Sequence, residues 1–398
     1  MNQAGLLTRR LSGAFALLLL PAALASCDAI KRKISGGGVA ASLPFTPSNV
    51  DLTGMDLSKI GDFKVDDPSC TLSSEGLLAS CGDGGGVLAF KLAKQADGSS
   101  IAVYVARSMH IAPHMVLTIQ GKNPVAFVAL DTIDIRGSLV AAATHDGAIA
   151  GGHTSSTKEN TIGGGAGGGS AANATTAGGG ASYCGKGGAG GSEVGKAGAT
   201  TGHQGAAHGA ASLAPLVGGS AGGARAGGGG GAGGGAIALI AGTSITIAAG
   251  GVIHVGGGGG GFGGESAGQE AAGGGSGGSI LLEAQDVVVS GTLAANGGGG
   301  GGGTSNHIPS GANATGNATP APGGVTDGIS PGGSGSGGAH IDGSNGSASP
   351  TKTAGGGGGG AGRIRINTKS GVATVTGGTL SPAATTTCTT QGKLAPGK

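Results

Sequence analysis

Seven consecutive glycines, 297–303, directly follow the strand-like stretch "SILLEAQDVVVSGTLAAN", and runs of six occupy 256–261 and 355–360. No other feature limits more severely what this chain can fold into. Glycine has no side chain to bury, and it loses more conformational freedom on ordering than any other residue. The 398 residues include 98 glycines, 14 prolines and no tryptophan, and only 2% are aromatic. A core of large side chains running through the whole molecule is therefore excluded, and the bulk composition falls in the low-complexity range. Yet 37% of residues are apolar, and they cluster in short β-branched runs. Two kinds of segment alternate along the chain.

The apolar runs repeat. Ile101, Val103 and Val105 are followed eight residues on by Met109 and Ile111, then by Leu117 and Ile119. Val125, Phe127 and Ala129 restart the order 24 residues after Ile101, with Ile133 and Ile135 next. Ile237, Leu239 and Ala241 precede Ile245 and Ile247; Ile280, Leu282 and Ala284 precede Val287 and Val289, one residue shorter at the corner. Ile364 and Ile366, then Val372, give a last round, and Gly-x-Leu recurs at Gly137, Gly291 and Gly378. Three short strands per 20–24 residues is the period of a stacked solenoid. The expected fold is all-β: a right-handed parallel β-helix of about five coils. A β-sandwich is the weaker alternative, because turn pairs such as Asn-Gly are scarce inside the repeats.

Glycine-rich inserts at 145–233, 256–277 and 297–361 interrupt the repeat in one phase, so they are expected as long loops on one side of the coil. Loop closure tolerates them, since its cost grows only logarithmically with length. Ordering them would cost of order 200 kcal/mol of backbone entropy with almost no side chains to offset it. Flexible brushes are the expectation, and packed polyglycine helices the alternative. The expected organisation is a signal peptide at 1–26, a lipid-anchored tether at 27–60, and an N-terminal cap at 61–100. The interrupted β-helix follows at 101–385, and a tail at 386–398.

"MNQAGLLTRRLSGAFALLLLPAALASC" has a basic start at Arg9 and Arg10, an apolar run from Ala14 to Leu20, and then small residues. That is the pattern of a secretion signal, too short to span a membrane as a helix. Leu24-Ala25-Ser26-Cys27 resembles the lipobox of bacterial lipoproteins. The resemblance implies diacylation of the Cys27 thiol, cleavage before it, and attachment to a membrane through lipid. Lys31-Arg32-Lys33 would then lie close to anionic head groups. The implied location is the cell envelope, extracytoplasmic, at the outer membrane or cell surface.

Export permits disulfides. Cys70 and Cys81 flank ten residues suited to a small closed loop and are expected to pair, worth about 2–4 kcal/mol. Cys184 and Cys388 pair with each other or not at all. The cysteines and histidines lack metal-ligand spacing, so no metal site and no cofactor are expected.

"KGGAGGS" at 186–192, "GGAGGG" at 230–235 and the longer glycine runs look like the glycine-rich PE-PGRS-type proteins. "PVAFVALDTIDIRGSLVAAA" and "GGSGGSILLEAQDVVVSGTLAANGGGG" bring the chain closer to the glycine-rich surface lipoproteins of Gram-negative bacteria. The resemblance covers about residues 85–385. It implies a cell-surface protein and carries over no catalytic residue.

Other motifs are weaker. "GASYCGKG" at 180–187 approaches P-loop spacing but ends on Gly187 where Ser or Thr would hold magnesium, and no hydrophobic strand precedes it. A nucleotide is not an expected ligand. Nor is nucleic acid, because the net charge is only +2 and phosphate binding needs clustered Lys and Arg. Asp342-Gly343-Ser344-Asn345 resembles half a calcium loop without its distal Glu. His110 and His114 share a face only in a helix, and their segment reads as strand. Asp134, with Asp131 and Arg136 nearby, would stand beside Thr246, Val288 and Ala373 or Thr374, with no second carboxylate; Glu283 also stands alone. Paired carboxylates of the glycosidase kind are therefore missing. The leading expectation is a lipid-anchored surface protein of structural or adhesive function, not an enzyme. A protein that binds or degrades envelope or extracellular polysaccharide is the alternative.

Overall fold

The computed structural model describes residues 42–76, 79–81, 88–145, 147–155, 160–195, 201–225, 228–261, 270–303, 309–325, 330–350 and 353–397. The signal segment, Cys27 and Lys31–Lys33 lie outside the described residues.

Two sheets face each other across the main core. The larger has eleven strands, including Met109–Ile111, Val125–Ala129, Thr132–Ile135, Ala236–Ile247, Ser279–Val289 and Arg363–Thr368. The smaller has seven, including Ser69–Ser73, Val116–Gln120, Ser138–Val140, Val252–His254, Thr292–Ala294 and Thr379–Ser381. Pairing is parallel except where Ala89–Lys94 meets Ser100–Ala106, where Ala79–Ser80 meets Ser69–Ser73, and in the two-residue pair Phe45–Thr46 with Ala395–Pro396. Like side chains stack in register: Met109, Ile133, Ile245 and Val287 in one row, and Leu117, Leu139, Ile253, Leu293 and Leu380 in the facing sheet. These rows fill the space between the sheets and are buried.

The expected β-helix of about five coils does not form. The strands make two sheets with no closed solenoid, and the described residues contain no α-helix. The reason lies at the anticipated corner. Ala236–Ile247 runs as a single twelve-residue strand through both expected strands. Its one-residue surplus over Ser279–Val289 is absorbed as a register shift between Ala241 and Ser244. A bulge bends a strand while keeping it in its sheet, so the chain never turns to a further face there.

The first row is also displaced by one residue from expectation. Ala102, Tyr104 and Ala106 pair with Val125, Phe127 and Ala129 and point to the main core. Ile101, Val103 and Val105 point the other way, into a second apolar cluster with Ala126, Val128, Ala238, Ile240 and Leu281. Both faces of these strands are buried, so apolar alternation does not specify the register. The second cluster is covered by a strap at 42–60, through Phe45, Val50 and Ile60, and by Leu213 and Leu216 of the first insert.

The inserts are not brushes. Their glycines are largely buried, and their amides bond to other inserts with a period of three. Gly273 and Ser276 donate to Gly223 and Ser220; Gly274 and Gly277 donate to Gly357 and Gly360; Gly275 and Gly278 donate to Gly258 and Val255. Three residues per turn with no internal hydrogen bond is the polyproline II geometry. The rod 271–278 gives bonds to three neighbouring rods and accepts bonds from three more, at 178–181, 231–234 and 298–301. Rods 295–303 and 354–363 are likewise each bonded to six neighbours. A side chain has no room there: a Cβ on Gly278 would lie 1.7 Å from the Gly235 carbonyl oxygen. The glycine runs 297–303 and 355–360 therefore lie in rods bonded on every side. Backbone hydrogen bonds, rather than side-chain burial, offset the ordering cost.

Candidate functional site

Asp134 lies on the outer face of the larger sheet. Its in-register neighbours are Thr246, then Val288 and Thr374 on one side, and His110 then Lys64 on the other. Arg136 Nε donates to Asp134 Oδ2 at 2.8 Å, and His110 Nδ1 lies 3.3 Å from the same oxygen. His110 stands 24 residues before Asp134, the same interval that separates Ile101 from Val125; that repeat was the signal for this contact. His114 sits in a turn at φ 65° and does not join the group. Asp131 accepts a hydrogen bond from Thr243 Oγ1 at 3.0 Å. Asp131 and Asp134 thus stand singly, each beside donors.

Glu283 is not alone. It is 1% exposed and accepts from Ser48 N at 3.0 Å, from Ser48 Oγ at 2.5 Å and from Asn367 Nδ2 at 2.9 Å. It fastens the strap to the middle of the larger sheet. A buried carboxylate holding three donors is a structural clasp.

Asp342 and Asn345 are occupied too. Their Oδ1 atoms accept from Lys186 N and Ala189 N, at 2.7 and 2.8 Å. The three-residue spacing on each side matches the rod period, so these side chains act as surrogate carbonyls at the edge of the glycine body. The calcium-loop resemblance is explained by that role. In "GASYCGKG", Gly180 and Gly187 are rod positions and Tyr183 is buried, its phenol pushed up to about 12 by burial.

Cys70 is disulfide-bonded to Cys81, and Cys184 to Cys388. The second bridge ties the first insert to the C-terminal segment. Among the described residues, no three His, Cys, Asp or Glu gather to hold a metal, and no helix is long and apolar enough to cross a membrane.

His208 and His254 both border the glycine body, His254 from the end of the strand Val252–His254. His208 packs on the Tyr183 ring at 4.8 Å. His254 Nε2 lies 3.1 Å from the Ala314 carbonyl oxygen. Burial holds both imidazoles below their ordinary range. For His254 it outweighs the opposing influence of the Ala314 and Ala294 carbonyls.

The rods run alternately away from the sheets and back. Rods 217–225, 255–261 and 295–303 lead outward, and 228–235, 270–278 and 353–362 return into strands. The described outer rod ends therefore lie remote from the sheets. The described rod ends there carry Asn173, Thr175 and Glu193, and the exposed Ile162 (71%), Val194 (62%) and Val325 (61%). This end, rather than the Asp134 ladder, concentrates exposed apolar side chains. No protein-family model, curated protein sequence or solved structure matches the chain.

Proposed function

We propose that the protein is an extracytoplasmic scaffold, anchored to the cell envelope through lipid on Cys27, whose glycine body holds adhesive rod ends away from the membrane. The observation that carries the reading is the up-and-down course of the rods. Among the described residues it places half of the exposed large hydrophobic side chains, Ile162, Val194 and Val325, at the outer rod ends. Isolated exposed apolar residues are ordinary; their concentration at the ends of otherwise side-chain-poor rods is what suggests display. Two disulfides fit an oxidising compartment, and the lipobox-like Leu24–Cys27 fits an acyl anchor.

The test is fractionation and surface labelling of cells expressing the full chain. Wild type should partition with membranes and be labelled from outside. Cys27→Ser should be released into the soluble exported fraction. Continued membrane attachment of Cys27→Ser refutes the anchor, and a protein shielded from external label refutes surface display. Polysaccharide turnover by the purified protein, abolished in Asp134→Ala, would replace this reading with an enzymatic one.

A further inference from the structure

We propose that His254 is an acid-released latch holding segment 314–319 over the outer face of the seven-stranded sheet. His254 lies on the strand Val252–His254, and the segment crosses it at Ala314. Four contacts dock it, while the preceding residues 309–313 are bonded separately to the rods, with Gly311 N donating to Gly260, Gly299 N to Ala312, Gly302 N to Pro309 and Gly259 N to Asn313 Oδ1. Ala314 N donates to the Gly257 carbonyl at 2.9 Å, and His254 Nε2 meets the Ala314 carbonyl at 3.1 Å. Asn296 Nδ2 donates to the Asn317 and Thr315 carbonyls at 2.6 and 3.4 Å. The fit is close: a Cβ on Gly316 would lie 3.0 Å from Val252 Cγ1, and one on Gly256 would lie 2.6 Å from the His254 ring.

A carbonyl accepts, so Nε2 must carry the proton and the neutral ring leaves Nδ1 bare. Nδ1 is buried with no hydrogen-bond partner, and the Ala294 carbonyl, which favours the charged ring, is shared with Val255 N at 2.9 Å and does not offset the burial. A second proton therefore creates a cation whose burial costs more than that carbonyl returns. Among the described residues, nothing charged faces it to offset that cost. Its in-register neighbours are Val140 and Ala294, and the overlying chain at 309–319, "PSGANATGNAT", contains no ionisable side chain. Hydration of the ring requires the segment to lift, which uncovers Val252 and Ala294. The device is independent of what the outer rod ends bind.

Hydrogen exchange of the mature protein at pH 7.5 and 5.5, corrected for intrinsic rates, tests this. Opening of 314–319 should rise by up to about tenfold per pH unit below about 6.5, the one-proton limit. The rod 297–303 should keep its protection. His254→Gln retains an N–H donor for the Ala314 carbonyl but takes no proton, so its segment should stay protected at both pH values. Unchanged protection in wild type, or equal acid loss in His254→Gln, overturns the latch. If His254→Gln does not fold, titration of the wild-type His254 ring by NMR decides. A midpoint below about 6.5 supports the latch, and one at or above it overturns it.

Discussion

Replacing Gly357 with Ala should cost far more than a methyl group suggests. Gly357 lies in rod 354–363, and its added Cβ would sit 2.0 Å from the Gly188 carbonyl oxygen and 2.6 Å from its carbon. Both are backbone, so no side chain can rotate away, and a rod must shift by about 1 Å before contact becomes tolerable. Three hydrogen bonds lie in the path of that shift. Gly357 N donates to Gly178 at 3.0 Å, Gly274 N donates to Gly357 at 2.8 Å, and Gly188 N donates to Gly358 at 2.7 Å. Each is worth about 1 kcal/mol net, and more when a buried group is left unpaired. Alanine returns only about 0.4–1 kcal/mol by restricting the unfolded chain. The expected net loss is about 3 kcal/mol. Gly76→Ala is the control, since nothing lies within 4 Å of its Cβ position. Urea unfolding with disulfides intact should place the Gly357→Ala midpoint well below wild type and Gly76→Ala at or slightly above it. A Gly357→Ala midpoint equal to that of Gly76→Ala would refute the idea that close backbone approach sets the glycine requirement.

Other outcomes follow from the same contacts. Glu283→Ala strips acceptors from Ser48 and Asn367; a loss of about 2–4 kcal/mol is expected, with faster proteolysis within 42–60 than in wild type. Cys388→Ser opens the bridge to Cys184, which spans 204 residues, and should lower stability by about 2–5 kcal/mol, read as a depressed unfolding midpoint under non-reducing conditions. His208 and His254 are held below their ordinary range by burial, so the unfolded chain binds more protons in mild acid. Stability should be flat above about pH 6.5 and fall below it, by up to about 1.4 kcal/mol per pH unit for each histidine, levelling only below the folded-state values. Urea midpoints between pH 5 and 8 check this.

Side-chain rows were the legible part of the fold. Ile133, Ile245 and Val287 announce their pairing because one face is apolar and the other polar, as Asp134 and Thr246 are. The row at 101–106 misleads because Ile101 and Val103 find a second apolar cluster, so period two offers no choice of face. The run through Ala241 and Ser244 reads as a corner because sequence spacing does not distinguish a turn from a bulge. His110 beside Asp134 was available from the 24-residue interval alone. The rods were not legible in the same way. Nothing in "GGGGGGG" names a partner, because rod pairing is chosen by backbone groups that every glycine shares. The selection lies in what is missing, since any side chain facing a neighbour would exclude it. The Glu283 clasp was also out of reach, because its partners come from the strap and from the strand at 363–368.

The threefold bonding of the rods has a mechanical consequence. A β-sheet carries its hydrogen bonds within one plane and yields more readily across it. In the glycine body, rods such as 271–278, 295–303 and 354–363 are tied to neighbours on every side. A load arriving from any sideways direction meets the same kind of cross-link. The body should therefore resist bending and shear without a preferred axis, as a bonded bundle of fibres does and a ribbon does not.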